Sequence, residues 1–351
     1  MKKMSTLLLV LSALFLSLQT QAKVWRINNT PGVNANFTTV VAALASASVV
    51  NDDTLYVEGS STNYAGFNLN KRLVIIGTGY FLSGANSNAG LQANTNSSDF
   101  GGGYIIFDST ASGSVLLGLD NFYMAIGPVL GSATDNITIT RCLFGGLGTY
   151  YGISPNTKMA GWKINKNYIN GQLGTNTLVY QDWDISNNIF TGAIDFSNTG
   201  NTNIVVRNNV FRTTITLYNT YFANNILGSG GFNVINVTAK NNIAIGAPTG
   251  FTPYVGTNNN VNNQTDAVVF QGLTGNSTDG QWRLKAGSPA IGAGLTIGAV
   301  ISPDCGAFGG PDPYKLSGIP NIPTIYSLTV PASIPAGTAT MNITVSTKNN
   351  N

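Results

Sequence analysis

The stretch Trp183-Asp-Ile-Ser-Asn-Asn-Ile-Phe190 returns 21 positions later as Ile204-Val-Val-Arg-Asn-Asn-Val-Phe211. It is preceded by Trp162-Lys-Ile-Asn-Lys-Asn-Tyr-Ile169, and before that by Ile137-Thr-Ile-Thr-Arg-Cys-Leu-Phe144. Residues 116–123, 220–227 and 237–244 are weaker copies. A strand motif recurring at this period is the mark of a solenoid, with one copy per coil stacked on the next. An antiparallel sandwich would place turn signals about every 8–12 residues and would not hold one phase through so many copies.

The phase within each copy assigns the faces. Position one holds Ile137, Trp162, Trp183 and Ile204, and position three holds Ile139, Ile164, Ile185, Val206 and Phe222. Apolar residues at period two face a core. The residues between them, Lys163, Asp184, Val205 and Tyr221 in one column and Asn165, Ser186 and Arg207 in the other, belong outside. The fifth column (Asp120, Arg141, Lys166, Asn187, Asn208, Asn224, Asn241) admits Arg and Lys and is read as solvated. The sixth reads Asn121, Cys142, Asn167, Asn188, Asn209, Asn225, Asn242. This column predicts an inward ladder, because rungs about 4.8 Å apart let each side-chain amide donate to the next one's carbonyl.

Composition narrows the chemistry. Charged residues make up 9% of the 351, against roughly 25% in an average domain, and there is no His. Without His there is no Ser-His-Asp triad and no His-ligated zinc. With 43% apolar residues and a mean hydropathy of +0.11 the chain is too hydrophobic to be disordered. Glu58 is the only Glu, so carboxylate chemistry rests on Asp.

Lys2 and Lys3, an apolar run over residues 7–18 and the small residues Thr20 and Ala22 have the form of a secretory signal. The run is short for a membrane span. Cleavage after Ala22 removes Lys2 and Lys3 and takes the net charge from +3 to +1, which gives no case for nucleic acid. The predicted organisation is a signal peptide at 1–22, an N-terminal cap at 23–55, coils at 56–310, and a linker with a C-terminal β-hairpin at 311–351. Localisation is expected to be extracellular or at the cell surface, with the periplasm as the alternative and no membrane span after cleavage. A secreted chain can bridge Cys142 and Cys305, but two separate buried thiols are the preferred reading.

These repeats resemble those of right-handed parallel β-helix proteins, the pectate-lyase-like superfamily. Phe37-Thr-Thr-Val-Val-Ala-Ala-Leu-Ala-Ser-Ala47 followed by Asp53-Thr-Leu-Tyr-Val-Glu-Gly59 is similar to that family's capping helix and first strand. Trp282-Arg-Leu-Lys-Ala-Gly-Ser-Pro-Ala-Ile-Gly-Ala-Gly294 with Asp304-Cys-Gly-Ala-Phe-Gly309 is similar to the closing segment of many secreted members. More narrowly, the chain resembles uncharacterised secreted β-helix proteins of Bacteroidetes-type bacteria. The resemblance implies an all-β, single-stranded right-handed parallel β-helix with an N-terminal capping helix and a short C-terminal hairpin.

For function, the resemblance spans polysaccharide lyases, hydrolases, adhesins and non-catalytic proteins. A lyase takes the proton beside a carboxylate with a base while Arg or Ca²⁺ steadies the charge. Lys163, Asp184 and Arg207 are the candidate catalytic set, with Tyr221, Lys166 and Arg141 as candidate substrate contacts. The paired Asp residues of β-helix hydrolases are not evident in the aligned columns. The leading expectation is therefore a non-catalytic module that binds extracellular polysaccharide or serves as structure. It needs no metal or other cofactor; Ca²⁺ enters only with the lyase alternative. Tyr123, Tyr150, Tyr151, Tyr168 and Tyr218 are further stacking candidates, whereas Trp162 and Trp183 are in inward phase.

Overall fold

The computed structural model describes residues 22–126, 133–149 and 154–350. The segment expected to be a signal peptide, apart from Ala22, lies outside the described residues, as do Tyr150 and Tyr151. The chain winds into a parallel β-solenoid of about ten coils. A first 10-stranded sheet runs from Val24–Ile27 and Thr54–Val57 through Lys163–Asn165, Asp184–Ser186 and Ile204–Arg207 to Thr220–Ala223 and Thr238–Lys240. A second 10-stranded sheet runs from Phe67–Leu69 and Asp99–Phe107 to Ile243–Ile245 and Val261–Gln264. A shorter third wall stacks Ile194–Phe196, Ile215–Tyr218 and Phe232–Ile235. The first and second sheets pair in parallel throughout; Ile164, for example, sits between Ile139 and Ile185.

The interior is apolar and rich in aromatic rings. Trp162 and Trp183 stack at 5.0 Å, Tyr180 and Phe196 at 3.8 Å, and Phe190 and Phe211 at 4.6 Å. Each indole N–H finds a carbonyl, Trp162 on Thr134 and Trp183 on Met159, so neither buried donor is left unmet. At the N-terminal end the helix Val40–Ala45 is capped by the Thr39 hydroxyl and buries Val40, Ala43 and Leu44. Val41, on the same helix, is half exposed.

The corner between the first and second sheets carries the amide ladder. Asn167, Asn188, Asn209, Asn225 and Asn242 are fully buried. In each, Oδ1 accepts from the preceding rung, and Nδ2 donates onward to the next amide and back to a core-strand carbonyl. Cys142 joins one end, its N–H donating to Asn167 Oδ1 and its Sγ accepting from Leu119 N. Asn260, which the aligned copies do not include, closes the other end.

Two expectations change here. Leu116 pairs with Ile139, so residues 116–123 sit two positions away from the alignment drawn from sequence. Gly118 and Leu119 take the fifth and sixth positions, and Asn121 leaves the ladder to donate to Asp99 Oδ1. Nor is the fifth column solvated. Arg141, Lys166, Asn187, Asn208, Asn224 and Asn241 all adopt left-handed φ between 52° and 58° to turn the corner, and all are buried.

Their cover comes from the C-terminal part of the chain. The last strand of the stack is Val261–Gln264, and residues 290–320, which we call the strap, run back down the corner instead of forming coils. Ala293 accepts from Asn241, Leu295 from Asn224, Asp304 from Asn208, Ala307 and Gly309 from Asn187, and Ile319 from Arg141. Beneath the strap, the seventh residue of each copy (Leu143, Tyr168, Ile189, Val210, Ile226, Ile243) forms a second apolar cluster with Cys305, Ala307 and Tyr314. Beyond it, Thr324–Thr329 and Thr344–Lys348 form the antiparallel hairpin, touching the body where Ala93 N–H meets the Ile325 carbonyl. No described helix is long and apolar enough to cross a membrane.

Candidate functional site

The outer face of the first sheet brings part of the predicted set together. Asp184 lies beside Lys163 on one rung and Val205 on the next, while Arg207 stands beside Ser186. Arg207 reaches diagonally and donates from Nη2 to Asp184 Oδ2 at 2.9 Å. Both side chains are about one-third exposed, which places the pair at a rim. Tyr221, the next rung's partner of Val205, extends the surface.

A wall rises beside them from the strap. Leu295, Thr296 and Ile297 form it, with Ile297 bridged to Val300 in a tight turn. Asn224 fixes the wall through its αL side chain: Oδ1 accepts from Leu295 N at 2.7 Å and Nδ2 donates to Leu295 O at 3.1 Å. Asp184, Val205, Arg207, Tyr221 and this wall enclose a groove of about 330 Å³. Asp184 Oδ1 and Arg207 Nε are turned away from solvent and have no hydrogen-bond partner among the described residues. Partial burial raises the Tyr221 hydroxyl above its usual pKa, so it is a neutral donor at physiological pH.

The remaining predicted residues are elsewhere. Lys163 is exposed and forms no ion pair among the described residues, although it is Asp184's register partner. Lys166 and Arg141 are buried under the strap, Lys166 paired with Asp312 and Arg141 Nη1 on the Ile319 carbonyl at 2.7 Å. Burial lowers the Arg141 pKa, partly offset by Asp312. Tyr168 is likewise under the strap. Cys142 and Cys305 are separate, free and buried, and burial pushes each thiol up to about 12. Among the described residues, no three His, Cys, Asp or Glu side chains group closely enough to hold a metal ion.

Two features were not read from the sequence. The groove wall comes from residues without repeat character, so only the doubly apolar seventh and eighth columns hint that something covers that face. Asp99 and Asp120 are register partners on adjacent rungs of the second sheet, hidden by the misaligned first copy. Burial pushes the Asp120 carboxyl up to about 7, against a Ser97 hydrogen bond and with Asp99 adding to the rise. Comparison with protein-family models, curated proteins and solved structures found no match to this chain.

Proposed function

We propose that this chain is a secreted or cell-surface module that holds an extracellular polysaccharide in the first-sheet groove without cleaving it. The observation that carries this reading is a partly exposed carboxylate–guanidinium pair, Asp184 and Arg207, lining a groove beside the Tyr221 ring. A sugar hydroxyl both donates and accepts, so it complements the exposed edges of the two groups together. A ring beside them offers a face for the apolar side of the same sugar.

The lyase alternative needs a base and a cation free to meet a substrate carboxylate. Arg207 is engaged by Asp184, and Arg141 and Lys166 are engaged under the strap, which supports binding over cleavage. The test is a glycan array run with a parallel assay for unsaturated sugar products. Arg207→Ala and Tyr221→Ala are each expected to weaken binding about tenfold, the loss of one good polar or stacking contact. Product formation that disappears in Lys163→Ala or Arg207→Ala would show the protein to be an enzyme. Full retention of binding by Arg207→Ala and Tyr221→Ala would remove the groove from the reading.

A further inference from the structure

The outer face of the second sheet presents an aromatic pair of which the sequence names only Tyr123. Tyr104 and Tyr123 are register partners on adjacent rungs, 53% and 42% exposed. Their rings lie 5.5 Å apart with planes inclined by 31°. In the same column, the rung below supplies Gly66, since Phe67 pairs with Ile105, and the rung above sets Gly145 and Gly146 against Tyr123 across a bulge, since Phe122 pairs with Phe144 and Met124 with Leu147. A Cβ on Gly145 would stand 2.2 Å from a Tyr123 ring carbon, so the ring occupies the space a side chain would fill. At this separation the two rings partly overlap along the solenoid axis, with bare backbone at either end.

A second observation extends the line. On the Gly66 side a groove of about 430 Å³ opens, lined by Val41, Leu44, Ala45, Gly66, Asn68 and Asn70. Its walls offer small apolar surface and two amides, and no charged side chain lines it.

We infer that Tyr104, Tyr123 and this groove form a stacking site for an uncharged pyranose chain lying along the solenoid axis. The electron-rich ring faces attract the C–H face of a pyranose. Their separation is close to the length of one sugar unit in an extended chain, so successive units can meet successive rings. Asn68 and Asn70 can each donate and accept, as sugar hydroxyls require. The absence of charge selects a neutral chain, unlike the Asp184–Arg207 groove. A peptide strand is a poorer fit, because the rungs here already use their backbone groups in pairing with one another and leave no edge to extend. This site is on a different face and does not rest on the groove described above.

The test uses the full secreted chain in affinity electrophoresis through gels containing xylan, mixed-linkage β-glucan or galactomannan, with polygalacturonate as the charged probe. At least one neutral polymer is expected to retard the wild type. Tyr104→Ala and Tyr123→Ala should each weaken that retardation about tenfold. Tyr123→Phe should keep it. Circular dichroism checks that each variant is folded, and Tyr104→Ala reads the site alone should Tyr123→Ala unfold. The inference is overturned if none of the three neutral polymers retards the wild type, or if folded Tyr104→Ala runs as wild type. Equal loss in Arg207→Ala would assign the retardation to the other groove and overturn it too.

Discussion

Asn188 lies directly below Asn209 in the ladder: its backbone N–H and its Nδ2 both donate to Asn209 Oδ1, at 2.9 and 3.0 Å. Its own Oδ1 receives the same pair of bonds from Asn167, and its Nδ2 also reaches the Ile164 carbonyl. Removing this amide leaves buried donors unmet on one side and a buried acceptor on the other. Asn188→Ala should therefore lose about 2–4 kcal/mol, since each orphaned buried group costs roughly 1–3 kcal/mol. Asn260→Ala, whose amide makes as many bonds at the ladder's end, should lose a comparable amount. Urea midpoints at unchanged m-value measure both. Losses below about 1 kcal/mol would mean that the ladder bonds do not hold the corner.

The strap's hold on the corner can be tested at Lys166. Its ammonium is almost buried, with Asp312, itself well exposed, as its partner. Asp312→Ala leaves that charge without its partner and should cost about 1–3 kcal/mol, less than a fully buried pair because Asp312 faces water. Lys166→Asn removes the charge and installs a residue that enters the left-handed region more easily. It should stay within about 1 kcal/mol of wild type, as the neighbouring Asn187 already donates to strap carbonyls from the equivalent position. In the Lys166→Asn background Asp312→Ala should then cost less, losing only its weaker support of the Arg141 charge. A full Asp312→Ala penalty there would place the aspartate's role elsewhere.

Asp120 sets a pH dependence. Burial raises its carboxyl to about 7 in the folded protein, whereas the unfolded chain titrates near 3.9. The folded state thus keeps a proton that the unfolded chain releases between roughly pH 4 and 7, so this residue costs stability as pH rises through that window. Asp120→Asn stays neutral throughout. It should match wild type near pH 4 and exceed it near pH 8 by at least about 1 kcal/mol. A stability difference that stays constant between the two pH values would mean Asp120 titrates normally.

The coils were legible because their inward columns repeat in type as well as phase: Ile139, Ile164, Ile185 and Val206 stack in one register. The ladder was legible because few side chains can fill a corner that must bond to its own copy. The first copy was misread because Gly118 turns the corner where later coils use Arg, Lys or Asn, and Leu119 fills the ladder position with no amide. The solvated reading of Arg141 and Lys166 failed for a different reason. A charged residue in a turn looks exposed unless its cover is known, and the strap covering it has no repeat of its own. The Asp184–Arg207 pair followed from the columns; the Leu295–Ile297 wall, brought back from the far end of the chain, did not.

Cys142 tests whether the ladder is a chemical or merely a steric column. Its Sγ accepts from Leu119 N at 3.4 Å and donates to the Thr140 carbonyl at 3.3 Å, while Asn167 Oδ1 already accepts its backbone N–H at 2.9 Å. An amide at this position would find the same partners: Oδ1 for Leu119 N, Nδ2 for Asn167 Oδ1. Cys142→Asn should therefore fold with stability within about 1 kcal/mol of wild type, the added bonds offsetting the larger side chain. Cys142→Leu matches the core's polarity but has no acceptor for Leu119 N and overfills the corner, and should cost about 2–4 kcal/mol. Urea unfolding of the two variants decides between these accounts. If Leu is tolerated and Asn is not, the corner selects for apolar fit, and the run of amides from Asn167 onward does not extend its hydrogen-bonding rule to this rung.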